Sequence, residues 1–378
     1  MLSSRQKLLV KVLMSNDRQF VTLWNQWKRK VNRYATLDEG SLQLFPLAYS
    51  RLKNLASQDT WLQVTKNAYQ AHWLKNQLAL SQSLEIMDVF QTKKIPFLVI
   101  KGAAFIPLYY DSQKGLRRID DIDIWVPVDQ FKKAIKILRK KGWTVEKTQH
   151  QHPDLFQPFF FHSIGFEKGG SNLDLHCHVF HFYLQNDDWP LLLESAQTIQ
   201  LDALSVKTLA DSDHLVHICV HGLRGSERSR QQWIVDSLMV MKKKPIDWQR
   251  VVDVSQRLQS TIPVAVALKY LKTNFSAPVP SWVIKKLLTL PMKKSYERLF
   301  VLNTRDVESS VRRSLETYWW TYINSLEPSF SLMTAVNHFI LYLKYLTETS
   351  NLWLVPGVVV QKISFLIHRS LKMKLSSS

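Results

Sequence analysis

The sequence is poor in cysteine and contains no long, uninterrupted apolar run. Its two cysteines, Cys177 and Cys219, cannot form a disulfide framework, so a reducing cytoplasm is the expected location. The first residues show no secretion signal, because their apolar groups are short and are broken by Lys and Asn. None of the apolar runs reaches the roughly 20 residues that a membrane-spanning helix needs, so a transmembrane protein is disfavoured.

Acidic residues are few compared with basic ones. The chain has 31 acidic and 50 basic residues, which gives a net charge of +19. The basic excess is concentrated at 28–33, at 242–244 and in the C-terminal tail. We therefore expect an anionic partner, such as tRNA or an anionic membrane surface, although charge alone does not choose between them. A solvated basic surface with no specific partner is the alternative.

Two apolar segments near the C-terminus, 331–346 and 352–368, precede the basic end of the chain, and Pro356 interrupts the second of them. One interpretation is a helical cap that packs on the rest of the protein. The other is a basic amphipathic element that lies on an anionic membrane surface, which would make the protein a peripheral membrane protein.

Hydropathy patterns divide the chain into three parts. Apolar residues recur at helical spacing up to residue 90 and again after residue 212, whereas short apolar runs and alternation predict strands between them. We therefore expect an α+β protein with a helical N-terminal region (1–92), a core of strands and helices (93–205) and a helical C-terminal region (206–378). The predicted strands are 97–100, 122–126, 143–147 and 173–180. A helix from 130 to 141 should begin at an Asp129 cap and end at Gly142.

Two aspartates in the core have the spacing of a metal site. The segment 96–126 reads PFLVIKGAAFIPLYYDSQKGLRRIDDIDIWV, with Asp121 and Asp123 inside a second apolar run. Side chains alternate along a strand, so both carboxylates should lie on one face. Like charges this close are unfavourable without a cation between them, and Mg²⁺ prefers carboxylates together with phosphate oxygens. The segment therefore predicts a site for a divalent metal and a phosphorylated ligand.

Neighbouring charges have simpler interpretations as well. Lys101 directly follows a buried run, so it must either reach solvent or meet an anion. Arg117 and Arg118 could instead form surface pairs with Asp120 and Asp121. The aspartate pair itself could belong to a solvated turn.

Histidines offer a second metal-binding pattern. His176 shares a strand face with Asp174, and His214, His217 and His221 share one helix face. Such a set could bind zinc, although no tight His-Glu-x-x-His or Cys-x-x-Cys spacing supports it. The alternative is metal-free: His176 orients Asp174, and the helical histidines make hydrogen bonds in the core.

The order of these motifs resembles the nucleotidyltransferase superfamily related to DNA polymerase beta. More narrowly, it is similar to an uncharacterised bacterial nucleotidyltransferase family with the motifs L-K-G, R-x-x-x-D-I-D-L-L-V, G-[YW] and D-L-H. The matching positions here are Lys101-Gly102, Arg117 with Asp121 to Asp123, Gly142-Trp143, and Asp174 to His176. The likeness covers roughly residues 35 to 255, including the segment 232–238.

This resemblance implies a small mixed β-sheet with flanking helices, and a Mg²⁺- or Mn²⁺-dependent transfer of a nucleoside monophosphate from an NTP to an unidentified acceptor. Catalysis and metal binding would fall to three carboxylates: Asp121, Asp123 and Asp174. Nucleotide binding would fall to four residues: Lys101, Gly102, Ala103 and Arg117. The sequence does not choose between ATP and the other NTPs.

Two other functions remain open at this point. The wider superfamily has Gly-Ser or Gly-Gly in the turn where this chain has Gly102-Ala103, so the protein could bind nucleotides in a regulatory role without turnover. The Lys-Gly turn also resembles that of toxin nucleotidyltransferases. An enzyme that modifies tRNA, protein or an aminoglycoside is therefore the third alternative.

Overall fold

A computed structural model describes residues 2–31, 37–146, 160–223, 231–304, 311–326, 331–347, 349, 351–354 and 357. The N-terminal region is helical, as the apolar spacing predicts. Its helices are α1 (Ser4–Met14), α2 (Asp17–Arg29), α3 (Glu39–Gln43), α4 (Phe45–Leu55) and α5 (Leu62–Thr92). Polar side chains begin three of them: Ser3, Asn16 and Asp38 each accept a hydrogen bond from a first-turn N–H.

A mixed five-stranded sheet forms the core, in the order β1-β2-β5-β4-β3. The strands are β1 (Leu98–Ile100), β2 (Ile122–Trp125), β3 (Thr144–Val145), β4 (Ser163–Lys168) and β5 (Ser171–His176). Strands β2 and β5 run parallel, whereas the other neighbouring pairs are antiparallel. The helices of the core are α6 (Gly102–Tyr109) and α7 (Val128–Lys140). The fold is therefore α+β with a small mixed sheet, as predicted.

Local details of this core differ from the sequence prediction. Helix α7 follows Pro127, so Asp129 lies in the first turn and the predicted Asp129 cap is wrong. Gly142 does end the helix, with φ of +82°. The strand predicted at 173–180 stops at His176, because its partner β4 begins at Ser163, which pairs with His176. Strand β4 was not predicted, nor was the hairpin of β6 (Gln197–Leu201) and β7 (Leu204–Thr208), which follows α8 (Asp188–Leu193).

The C-terminal region is helical in the part that the structure describes. It contains α9 (Asp211–Gly222), α10 (Gln232–Lys243), α11 (Trp248–Arg257), α12 (Thr261–Phe275), α13 (Ser281–Thr289), α14 (Lys294–Thr304), α15 (Val311–Ser325), α16 (Leu332–Thr347) and a 3₁₀ turn (Leu352–Leu354). Helix α16 packs on the start of β4, where the rings of Tyr342 and Phe160 are 4.9 Å apart. Within the described ranges, no helix is long and apolar enough to cross a bilayer. Most of the second apolar segment, 352–368, lies outside the described residues.

Candidate active site

Two aspartates face each other across the parallel strands at the centre of the sheet. Asp123 on β2 is the register partner of Asp174 on β5. Ligand atoms of Asp123, Asp174 and His176 lie within 4.8 Å of one another, and no other such group of three occurs among the described residues. Asp121 directly precedes β2 instead of lying in it, because β1 pairs with β2 only as far as Asp123 and then leaves the sheet.

The turn after β1 brings a lysine to these carboxylates. Lys101 has φ of +55° and ψ of −134°, a conformation that non-glycine residues rarely adopt. This backbone turns the chain from β1 directly into α6, and the Lys101 Nζ forms an ion pair with Asp123 Oδ1. No side chain caps α6, so its first N–H groups remain for another partner at this end of the sheet.

His176 contacts the same carboxylate oxygen. Its Nε2 donates to Asp123 Oδ1 over 2.9 Å, so the prediction that His176 orients Asp174 is wrong. The cause is the register: Asp174 and His176 lie on one face of β5, and Asp123 is directly opposite the first and diagonal to the second. A diagonal neighbour lies within reach of a ring as long as imidazole.

The three carboxylates have unequal affinities for protons. Burial would raise the pKa of Asp123, but Lys101 and His176 outweigh it and lower that pKa to about 2. Burial, followed by repulsion from Asp123, raises the pKa of Asp121. Burial and the charges of Asp121 and Asp123 likewise raise the pKa of Asp174. The protein's own cations therefore compensate Asp123 well and the other two carboxylates poorly.

Arg117 is fixed by an aspartate from the C-terminal region. Its Nε and Nη2 donate to the Asp236 carboxylate over 3.0 and 2.9 Å, and its Nη1 donates to the Arg118 carbonyl. The predicted surface pair for Arg117 is therefore wrong, whereas Arg118 does pair with Asp120, at 2.7 Å. A Cβ at Gly102 would lie 2.4 Å from Arg117 Nη1, so a larger residue at this position would displace the guanidinium.

A buried asparagine holds the same loop from the other side. Asn76 on α5 is fully buried, and its Nδ2 donates to the carbonyls of Lys114 and Arg117 over 2.5 and 2.7 Å. Its Oδ1 accepts from Ile119 N over 2.9 Å. The loop between α6 and β2, residues 110–121, is thus held by Asn76 and Asp236, two residues that the sequence analysis missed. The only signal for Asp236 was its place in the segment 232–238.

A cleft of about 250 Å³ lies beside this turn and loop. Five of the predicted site residues line it: Lys101, Gly102, Arg117, Asp121 and Asp123. Ala103 does not line the cleft and is 1% exposed, so only its main chain could contact a ligand. Asp174 does not line the cleft; it lies next to Asp123, its register partner on the neighbouring strand.

The helical histidines do not form a metal site in the described residues. His214 is fully buried: its Nε2 lies 3.0 Å from Thr208 Oγ1, and its ring packs edge-on against Phe105. Burial lowers the pKa of His214 to about 3. The predicted hydrogen-bonding role is therefore confirmed for His214, whereas His217 and His221 line the cleft.

The small mixed sheet with its flanking helices is consistent with a nucleotidyltransferase fold. The family described as "Uncharacterised nucleotidyltransferase" matches residues 41–276, and the chain belongs to this family. One solved structure with a similar chain is an antigenic nucleotidyltransferase-like protein from Paracoccidioides brasiliensis, with 14% identity, a TM-score of 0.36, and coverage of 56% of this chain and 92% of that one. No curated protein matches the sequence.

Proposed function

We propose that the protein is a Mg²⁺- or Mn²⁺-dependent nucleotidyltransferase that moves a nucleoside monophosphate from an NTP to an acceptor. The observation that carries this proposal is the pairing of Asp123 with Asp174 in register, with Asp121 directly before the strand. A nucleotidyltransferase needs carboxylates in this arrangement to hold a metal against the phosphates.

The donor set fits a hard divalent cation. Asp121, Asp123 and Asp174 offer carboxylate oxygens, which Mg²⁺ and Mn²⁺ prefer. Burial and neighbouring carboxylates raise the pKa values of Asp121 and Asp174 despite the nearby protein cations, so a bound divalent cation would favour their charged forms. When bound, such a cation polarises phosphate oxygens and lowers the pKa of an acceptor hydroxyl.

The protein's own cations would bind the phosphates. Lys101 is 15% exposed and lies on the cleft, so its ammonium supplies a positive charge at the carboxylates. Arg117 uses one N–H on each of its three nitrogens for Asp236 and Arg118, which leaves one N–H on each terminal nitrogen. Both groups would stabilise negative charge on the leaving pyrophosphate.

The direct test is transfer from each of the four NTPs, labelled at the α-phosphate, with Mg²⁺ or Mn²⁺ and with or without cell extract. We expect a labelled product from the unmodified protein and none from Asp123→Asn. Asp88→Asn is the matched control, because Asp88 is an exposed aspartate on α5 that does not line the cleft.

Loss of label after nuclease or protease treatment would identify the acceptor as RNA or protein. Equal product from Asp123→Asn and the unmodified protein would contradict the proposal, as would the absence of any product under all conditions.

A further inference from the structure

The cleft has a charged side and an uncharged side. The sheet core contributes the charged side, with Lys101, Arg117, Asp121 and Asp123. The helical regions contribute Asp236, which is paired with Arg117, and a group that we call the amide wall: Gln43, His217 and Trp233. A nucleotide has the same division, because its triphosphate is anionic and its base is flat, uncharged and able to form hydrogen bonds.

Gln43 carries a polar group that lacks a partner. It is the last residue of α3 and is only 8% exposed, yet its side-chain amide forms no hydrogen bond with any other described residue. The amide atoms are not among the buried unpartnered polar atoms of the described residues, so the amide is open to the cleft and free to bind a ligand. Its position on the cleft wall makes a ligand the natural partner.

Helix α3 is fixed in place, so Gln43 does not depend on a mobile loop. Gln231, just before α10, donates through Nε2 to Asp38 Oδ1 over 2.8 Å and to Ser41 Oγ over 3.2 Å. Asp38 in turn caps α3 by accepting from Ser41 N over 2.9 Å. The short helix is therefore joined to the start of α10, and Gln43 is held beside the cleft before any ligand binds.

An aromatic ring lies on the same wall. Trp233 on α10 packs directly on the backbone of α9, where a Cβ at Gly222 would lie 2.2 Å from Trp233 Cγ. His217 stacks parallel to Phe180, with ring centroids 5.8 Å apart. Burial lowers the pKa of His217 well below its usual value, so the wall carries no charge near neutral pH.

We propose that Gln43 reads the hydrogen-bonding edge of the NTP base, with Trp233 beside its aromatic face. This inference rests on the proposed function. A glutamine amide presents a donor and an acceptor side by side, which matches the adjacent donor and acceptor on a base edge. Aromatic side chains stack on any base and so add affinity without selectivity. Gln43 therefore determines which NTP the protein prefers.

Calorimetry with and without a base tests this inference. The ligands are the four α,β-methylene NTP analogues, which cannot undergo nucleotidyl transfer, and inorganic triphosphate, each with Mg²⁺. In Gln43→Met, the affinity for the preferred analogue should fall about 5-fold to 100-fold, as for the loss of a paired base contact. The differences among the four analogues should become smaller, and triphosphate should bind as before.

Controls separate recognition from folding. Gln63→Leu, at an exposed glutamine on α5 outside the cleft, should bind all five ligands like the unmodified protein. The melting temperature of Gln43→Met should not fall, because the amide has no hydrogen bond with another described residue to lose. A melting temperature that falls would mean that Gln43 has partners in the fold and would overturn the inference.

The other outcomes are equally decisive. Equal losses for triphosphate and for the NTP analogues would overturn base reading, because the effect would then act on the phosphates. Unchanged affinity in Gln43→Met, or four equal affinities in the unmodified protein, would overturn it as well while leaving the proposed function intact. An unmodified protein that binds none of the five ligands would contradict the proposed function together with this inference.

Discussion

Neutralising Asp236 should destabilise the fold more than removing Arg117, its partner. The side chains of Asp236 and Arg117 are only 4% and 13% exposed, so each buried charge is compensated by the other. Removing one partner of a buried ion pair costs about 3–5 kcal/mol, because the remaining charge stays buried and unpaired. Asp236→Asn should therefore lower the free energy of unfolding by this amount.

Arg117→Met should cost less, about 2 kcal/mol, since hydrogen bonds partly compensate the remaining carboxylate. Tyr110 Oη donates to Asp236 Oδ1 over 2.5 Å, and Gln232 Nε2 donates over 2.9 Å. The double variant buries no unpaired charge, so its loss should be smaller than the sum of the two single losses by about 3 kcal/mol.

Urea unfolding at pH 7, followed by tryptophan fluorescence, measures these differences. The double variant should regain stability without regaining nucleotide transfer, because the Arg117 guanidinium would still be missing from the Gly102 turn. Losses that add within about 0.5 kcal/mol would show that the two side chains are not coupled, and the account of the loop given above would fail.

Three further predictions concern the loop, the phosphate site and the core. Asn76→Ala should lower the free energy of unfolding by about 3 kcal/mol, since it leaves buried main-chain groups unpaired, and urea unfolding checks this. By calorimetry, Lys101→Ala should weaken Mg-NTP binding by about 1–3 kcal/mol, whereas neutralising the lysines at 242–244 should weaken only a salt-sensitive association with tRNA or anionic vesicles. His214 has a pKa of about 3 in the fold against 6.5 unfolded, so the unfolded chain binds the extra proton. The contribution of His214 to stability should therefore fall as the pH decreases from 7 towards 3, by at most about 1.4 kcal/mol per pH unit. Stability in urea titrations of His214→Phe should accordingly fall less over this range than that of the unmodified protein.

Local signals predicted the elements that carry the carboxylates. Alternation in 122–126 and the short run 97–100 correspond to β2 and β1, and Gly142 ends α7. The β4–β5 hairpin has a local signal in the sequence, the Gly169-Gly170 pair, whose φ values of +52° and +82° are the positive values of a two-residue hairpin turn. A Gly-Gly pair between two alternating segments would have predicted β4.

Long-range partners had no local signal. Arg117 pairs with Asp236, which is 119 positions away, and Ile119 donates to Asn76, which is 43 positions away. Composition and periodicity describe each helix face but do not determine which distant face will meet it. The partner of His176 was predicted wrongly for a related reason: its contact with Asp123 depends on the register between two strands.

The predicted domain boundaries, at 92 and 205, remain a prediction. Contacts around the cleft cross both of them. Asn76 holds the loop from the N-terminal side, Asp236 holds Arg117 from the C-terminal side, and Gln231 joins α3 to α10. A core cut at 93 and 205 would contain all three carboxylates but would lose both side chains that hold the loop before β2. The smallest segment that keeps these contacts runs from Asp38 to Asp236, and nearly all of it lies within the family match at 41–276. The carboxylates of the site therefore come from the core alone, but residues of the N-terminal and C-terminal regions hold the surrounding loop in place.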